Sequence, residues 1–250
     1  MKTLTTINQK GGVSKTTTAL ATAHGLAKRG YKVLFIDLDP QQNATFVLKA
    51  KGLTPTSLDV LTDEADAEEA IKSAGEIDVI PADPKAAQAD KLLEGIGAEH
   101  RLKEALAPLS SLYDFCVIDT PPSLGLLTTN ALTASDAAVI PAQADSFSLE
   151  GIKQLSGTLE AVKRYANPNL SLAGILLTRF NPRTTLSREI KDAAEDTANA
   201  LGTSVFDATI REGIAVKEAQ TMKDSLFNYA PRAKVTQDYE AYIDELLGRV

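Results

Sequence analysis

The chain has 250 residues, room for one large domain or two small ones at ~150 residues each, and an α/β domain of that size buries roughly 70–75% of its unfolded surface without a staple. With 26 basic against 33 acidic residues, a net charge of −7, 44% apolar and 24% charged residues, disorder and collagen-like structure are excluded, as is a globally basic nucleic-acid binder, though not a local basic patch. The single cysteine, Cys116, excludes an internal disulfide framework, restricts a Cys-ligated iron–sulfur cluster to one shared between subunits, and fits a reducing, cytosolic setting.

In chain order, short apolar runs over Leu4–Ile7, Val33–Ile36, Ile77–Ile80, Phe115–Ile118, Ala137–Ile140, Leu172–Leu177 and Thr203–Phe206 read as buried strands. Between them lie helical patterns over Lys15–Arg29, closed by Gly30, and over Asp83–Glu94, Leu124–Thr133, Leu149–Tyr165 and Thr184–Leu201, the last closed by Gly202. The acidic piece Asp63–Glu69 reads as a solvated helix face. Strand and helix in alternation predict a mostly parallel twisted sheet with helices on both faces, in one domain spanning residues 1–250. No run approaches the ~18–20 apolar residues of a membrane span, and the threonine-rich start lacks the apolar core of a secretory signal. In such a sheet ligands sit beyond the carboxyl ends of the strands. The polar stretches Lys10–Thr17, Asp37–Pro40, Asp119–Pro122 and Thr178–Asn181 fall there.

Lys10-Gly11-Gly12-Val13-Ser14-Lys15-Thr16-Thr17 joins a strand to a helix. Glycines let backbone N–H groups curl around phosphate oxygens, and the helix N-terminus adds partial positive charge. Lys15 can neutralise phosphate, and the Thr16 hydroxyl can ligate Mg²⁺. The strict pattern G-x-x-x-x-G-K-[ST] fails at both glycines, where Gln9 and Ser14 stand. With Lys10 five residues before Lys15, the stretch instead resembles the deviant Walker A motif K-G-G-x-x-K-[ST] of the ParA/MinD superfamily of P-loop ATPases. The resemblance extends to Val33–Thr45 with its Asp37-Leu38-Asp39-Pro40, to Phe115–Ser123 with its Asp119-Thr120-Pro121-Pro122, to Leu176–Asn181 and to Lys217-Glu218-Ala219. It thus covers essentially the whole chain and suits the compact ParA/Soj type.

The resemblance implies a P-loop fold, ATP and Mg²⁺ as ligands, and hydrolysis to ADP and phosphate. Gly11, Gly12, Val13, Ser14, Lys15, Thr16 and Thr17 would cradle the phosphates. Lys15 would hold its own subunit's nucleotide, whereas Lys10 would reach across an ATP-bound homodimer to the partner's. Thr16 would bind Mg²⁺ directly, Asp37 and Asp119 through water. Asp39 would orient the attacking water, and Asn181 would contact adenine, although an Asn-Pro pair equally makes a turn. Ser14 departs from the glycine of most relatives. It could tighten the loop, slow hydrolysis, or be tolerated if its φ is negative.

Absent features narrow the type. The tail Tyr239–Val250 sets Glu240, Asp244 and Glu245 against Arg249, unlike the basic amphipathic helix with which MinD-like proteins bind membrane. His24 and His100 fit no metal-ligand spacing. ParA relatives bind double-stranded DNA nonspecifically through basic residues of the C-terminal third, where Arg211, Lys217, Lys223, Arg232 and Lys234 stand against Glu212, Glu218 and Asp224. The expected function is an ATPase switch, cytoplasmic and nucleoid-associated, that partitions plasmid or chromosomal DNA with a ParB-like adaptor. The alternatives are a positioning ATPase working through a cargo adaptor and a weakly catalytic nucleotide-dependent interaction module.

Overall fold

The computed structural model describes residues 1–143 and 145–250. Its strands are β1 (Lys2–Thr6), β2 (Val33–Asp37), β3 (Lys72–Ala74), β4 (Ile77–Ile80), β5 (Phe115–Asp119), β6 (Ala137–Gln143) and β7 (Ser171–Thr178). They form a seven-stranded sheet in the order β3-β4-β2-β5-β1-β6-β7. Every pairing is parallel except that of β3 with β4. The early helices are α1 (Lys15–Lys28), α2 (Asn43–Val47), α3 (Ser57–Leu61), α4 (Ala67–Ala70), α5 (Ala89–Leu92) and α6 (Arg101–Leu106). They are followed by α7 (Leu126–Ala134), α8 (Ser146–Tyr165), α9 (Thr185–Ala200), α10 (Ile214–Met222), α11 (Leu226–Tyr229) and α12 (Lys234–Leu247).

The central strands β2 and β5 are buried at every position, reading Val-Leu-Phe-Ile-Asp and Phe-Cys-Val-Ile-Asp. A strand covered on both faces cannot afford alternation, so its sequence is continuously apolar until the carboxyl end. Side chains of opposite parity feed different cores. Phe35 and Val117 join Leu20, Leu26 and Tyr242 in one cluster, whereas Leu34, Ile36, Cys116 and Ile118 join Leu61, Leu102 and Leu127 in another. A third cluster packs Ile152, Leu155 and Ala194 against Ile140, Ile175 and Leu177.

Three expected elements differ. Thr203–Phe206 makes only isolated bridging contact, Val205 to Ile175, and is no strand. Its backbone instead follows β7 through Ile175 N–H to Ser204 and Phe206 N–H to Ile175. Asp83–Glu94 is not one helix: Asp83 caps a 3₁₀ turn at Pro84–Gln88, which passes into the single turn of α5, because Pro84 starts the turn and Leu93 has already left helical geometry before Gly95. The antiparallel β3 and the helices α2, α3, α6, α10, α11 and α12 have no counterpart among the expected elements. The acidic piece Asp63–Glu69 is mostly turn, with α4 beginning at Ala67.

The carboxylates expected in the tail are committed to packing. Glu240 pairs with Lys28 at 2.6 Å and with Arg29 at 2.8 Å, and Asp244 also pairs with Arg29. Beneath them Tyr239, Tyr242, Ile243 and Leu246 are buried in the cluster that holds α1. No helix among the described residues is long and apolar enough to cross a membrane.

Gly174, beside a register shift where β6 meets β7, has φ +150°, and a Cβ there would stand 2.8 Å from the Ser204 carbonyl oxygen and 2.5 Å from an Arg249 guanidinium nitrogen. A backbone oxygen cannot step aside as a side-chain end can. Gly174→Ala should therefore cost about 2–4 kcal/mol. Thermal unfolding should show a Tm lower by several degrees, at about 2–4 °C per kcal/mol; an unchanged Tm would refute the close approach.

Candidate functional site

The loop from β1 to α1 bends sharply because Gly12 (φ +79°) and Ser14 (φ +69°) both take the left-handed conformation. Serine can enter that region, but its Cβ makes it about 1 kcal/mol less favourable there than in the right-handed region. Toleration through a negative φ, one expectation for Ser14, is thereby excluded. Val13 faces inward, fully buried, and its carbonyl accepts from the Thr178 hydroxyl at 3.2 Å, tying the loop to β7. At the other end the Asn8 side chain donates to the Pro141 carbonyl and accepts from the Lys10 N–H.

The loop borders a cleft of about 600 Å³. Gly11, Gly12, Ser14, Lys15, Thr16 and Thr17 form one side, Asp39, Gln41, Asn43, Phe46, Val47 and Pro122 a second, and Arg179, Lys217, Gln220 and Thr221 a third. Lys15, only 7% exposed, donates to the Lys10 carbonyl at 3.2 Å. Burial lowers its pKa, and the charges of Asp119 and Asp39 oppose that shift.

Asp37 and Asp119 are paired residues of β2 and β5, both 0% exposed. Asp37 is well supplied with donors: Oδ1 accepts from the Asp39 N–H at 3.0 Å, and Oδ2 accepts from the Thr45 N–H at 2.8 Å and its hydroxyl at 2.7 Å. Burial nevertheless raises its pKa to about 6 against those hydrogen bonds, with Asp39 adding to the rise. Asp119 is the contrast, with no hydrogen-bond partner on either carboxylate oxygen among the described residues. Burial, then Asp37 and Asp39, push its pKa well up, while the neighbouring Thr16 hydroxyl and Lys15 ammonium pull it down. Buried carboxylate oxygens without donors ask for a cation or for water ordered by one. Oxygen-only chemistry with a hydroxyl beside it fits Mg²⁺.

Asp39 lines the cleft, with one oxygen accepting from the Gln41 N–H at 3.0 Å. Lys10 is folded onto its own chain, its ammonium 2.7 Å from both oxygens of Asp145. Asn181 does not line the cleft. It is exposed, and its side-chain oxygen accepts from the Arg183 N–H at 3.1 Å, the turn that its Asn-Pro sequence also allowed.

The five basic residues expected to form one patch are divided. Arg211 makes a two-pronged pair with Asp238 at 2.7 and 2.8 Å. Lys217 lines the cleft, and Lys223 lies 4.0 Å from the centre of the Phe46 ring. Arg232 and Lys234 remain exposed. Asp238, one turn along α12 from Lys234, lies just beyond that basic segment and is the carboxylate that takes Arg211.

Sequence reasoning gave no role to Thr45, Asn8, Asp145 or Phe46, which act through tertiary proximity. Arg179 falls in the Thr178–Asn181 stretch expected beyond a strand end but was assigned no role there. Cys116 is buried in its strand, and no group of three His, Cys, Asp or Glu residues among those described could hold a metal ion.

Residues 1–172 match the family model described as an AAA domain. The chain is 39% identical to the sporulation initiation inhibitor protein Soj of Bacillus subtilis, covering 95% of each chain. It is 36% identical to the chromosome partitioning protein ParA of Myxococcus xanthus, covering 97% of this chain and 86% of that one. Its fold is similar, with a TM-score of 0.87 and 33% identity over 99% of this chain and 94% of the other, to a structure of cobyrinic acid a,c-diamide synthase from Mycobacterium smegmatis with an ATP analogue and magnesium bound.

The two buried carboxylates carry a pH signature. Each has a folded pKa above the usual unfolded value, so the folded chain holds extra protons above about pH 4, and the stability they contribute is lost as pH rises through the folded values, about 6 for Asp37. Without metal, Asp119→Asn should gain stability over the parental chain as pH rises from 4.5 to 7.5, by at most ~1.4 kcal/mol per pH unit. Urea unfolding across that range measures the gap; a pH-independent gap contradicts the assignment.

Proposed function

Because the chain belongs to the ParA/Soj-type family of P-loop ATPases, we propose that it binds Mg-ATP in this cleft, dimerises when it does so, and hydrolyses the nucleotide to reset the switch. The observation that carries this reading is the juxtaposition of the Lys15 loop with a buried Asp119, neighboured by the Thr16 hydroxyl and the Lys15 ammonium, and with Asp39 at the cleft wall.

The backbone N–H groups of Gly11–Thr17 and the Lys15 ammonium hold the phosphate chain, Lys15 countering charge that shifts toward the leaving oxygen. Asp39 accepts a hydrogen bond from the attacking water, the oxygen of which joins the γ-phosphorus as the bond to ADP breaks. Magnesium, when bound, neutralises phosphate charge; Thr16 would ligate it directly and Asp119 and Asp37 through water. Asp37 has spent most of its capacity on Thr45 and Asp39, so Asp119 carries the larger share. Lys10 serves the partner's nucleotide in the dimer, exchanging the carboxylate of Asp145 for phosphate.

The dimer acts as a clamp on nonspecific double-stranded DNA and is released by a ParB-like adaptor, giving a partition ATPase in the cytoplasm at the nucleoid. The similarity to Soj and to a chromosome partitioning ParA supports this reading. Arg232 and Lys234 are exposed members of the basic segment that lie outside the cleft, available to the phosphate backbone.

Lys15→Ala should abolish measurable Mg-ATP binding in calorimetry, because backbone amides cannot replace a charge-assisted contact. Asp39→Ala should bind ATP with parental affinity while kcat falls about 100-fold, since only water orientation is removed. Parental turnover by Asp39→Ala would reassign the catalytic role.

For DNA, fluorescence anisotropy on two unrelated duplexes should show binding with ATP and release with ADP, with little sequence preference and a steep fall as salt rises. Arg232→Ala with Lys234→Ala should weaken both duplexes equally. No ATP-dependent binding at low salt would remove DNA from the mechanism.

A further inference from the structure

We propose that Gln220 is a positioning residue that turns the Thr17 hydroxyl proton into the cleft, toward a phosphate oxygen of the bound nucleotide. This inference rests on the nucleotide reading of the cleft and deepens it.

Thr17 and Gln220 are far apart in the chain, and both line the cleft half-buried. Thr17 stands in the first turn of α1, directly after Thr16. Gln220 shares one face of α10 with Lys217 and Thr221, since residues three and four apart are neighbours on a helix. Its amide nitrogen donates to the Thr17 hydroxyl oxygen at 3.0 Å. The donor is delivered from a fixed element: the adjoining Ala219 is buried in the cluster that contains Leu20 of α1, and the Gln220 carbonyl accepts from the Lys223 N–H at 3.2 Å where α10 closes.

A threonine hydroxyl has a single proton to donate. Within a helix that proton commonly goes to the carbonyl four residues back, as Thr22 of α1 does to Thr18 at 2.8 Å. Thr17 makes no such bond. The carbonyl four residues before it, on Val13, accepts from Thr178 instead, and among the described residues nothing accepts the Thr17 proton. Gln220 occupies a lone pair, so the hydroxyl meets the cleft as a donor, and one strengthened by the bond that it accepts. Lys15 and the N–H groups of the loop gather anionic oxygen at the same place, and Thr17 adds a donor to that row.

Gln220→Met keeps the length of the side chain and removes the donor. It should weaken ADP about fivefold, and Thr17→Val about tenfold, the scale of one hydrogen bond to a charged group. The double variant should match Thr17→Val alone, because Gln220 acts only through that hydroxyl. Gln220→Glu sets an acceptor of the same shape opposite Thr17 and draws the proton away from the cleft, so it should bind ADP at least as weakly as Thr17→Val. Thr17→Ser, which retains the hydroxyl, should keep parental affinity. Calorimetry on the full chain with ADP and magnesium measures all five; ADP is chosen because it does not call on the dimer. Parental affinity in Gln220→Met or Gln220→Glu would overturn this inference alone, as would losses that multiply in the double variant, the result expected if α10 merely propped the loop. Failure of the parental chain to bind ADP would overturn the cleft reading and this inference with it.

Discussion

Two carboxylates buried side by side at paired positions of neighbouring strands, Asp37 and Asp119, govern how the rest of the cleft is built. Like charges without water repel strongly and are costly to ionise together. The fold answers unevenly. It gives Asp37 its donors from Thr45 and Asp39 and leaves Asp119 to Lys15, Thr16 and whatever cation enters. Thr45 is itself held, because its hydroxyl also accepts from the Ala82 N–H at 2.9 Å, and Gln42 donates to the Ala82 carbonyl at 2.7 Å. The end of β4 thereby braces a carboxylate two strands of chain away, and the short α2 exists to deliver those donors.

The same asymmetry explains the cations. Lys15 is buried among carboxylates that sustain its charge, and Lys10 is held by Asp145 while remaining partly exposed. One lysine is built into the cleft, and the other is kept at its rim on an exchangeable partner. Half-exposed ion pairs contribute little to stability, about 0–1 kcal/mol, so Asp145 can hold Lys10 in place without locking it there.

What could be read from the sequence follows from range. Central strands are continuous apolar runs ending in aspartate, and both the pattern and its chemical end-point are local, so β1, β2, β4, β5, β6 and β7 and the loop before α1 were legible. The three-residue β3 is too short to show a period, although Gly75 before Glu76 marks the hairpin turn. Thr203–Phe206 has a strand's composition yet bonds as a strap along β7, a distinction that composition does not contain. Asp119 was legible as a ligand by position, but its lack of donors was not, nor was the capture of Arg211 by Asp238. Asn181 shows a local reading that holds: its side-chain oxygen accepts from the Arg183 N–H two residues on, a turn that its Asn-Pro sequence allowed.

The tail's carboxylates, set against the basic end of α1, tie the last helix of the chain to the helix that begins at the phosphate loop. Thr22 and Tyr242 add a hydroxyl contact at 3.3 Å across the same seam, and Arg249 reaches back to the Ala173 and Val205 carbonyls at 2.8 and 3.0 Å. The helix that carries Lys15 and Thr16 at its start is thus backed along its length by α12. A substitution in that seam, such as one at Tyr242 or Ile243, reaches the phosphate loop through α1 although it touches no residue of the cleft.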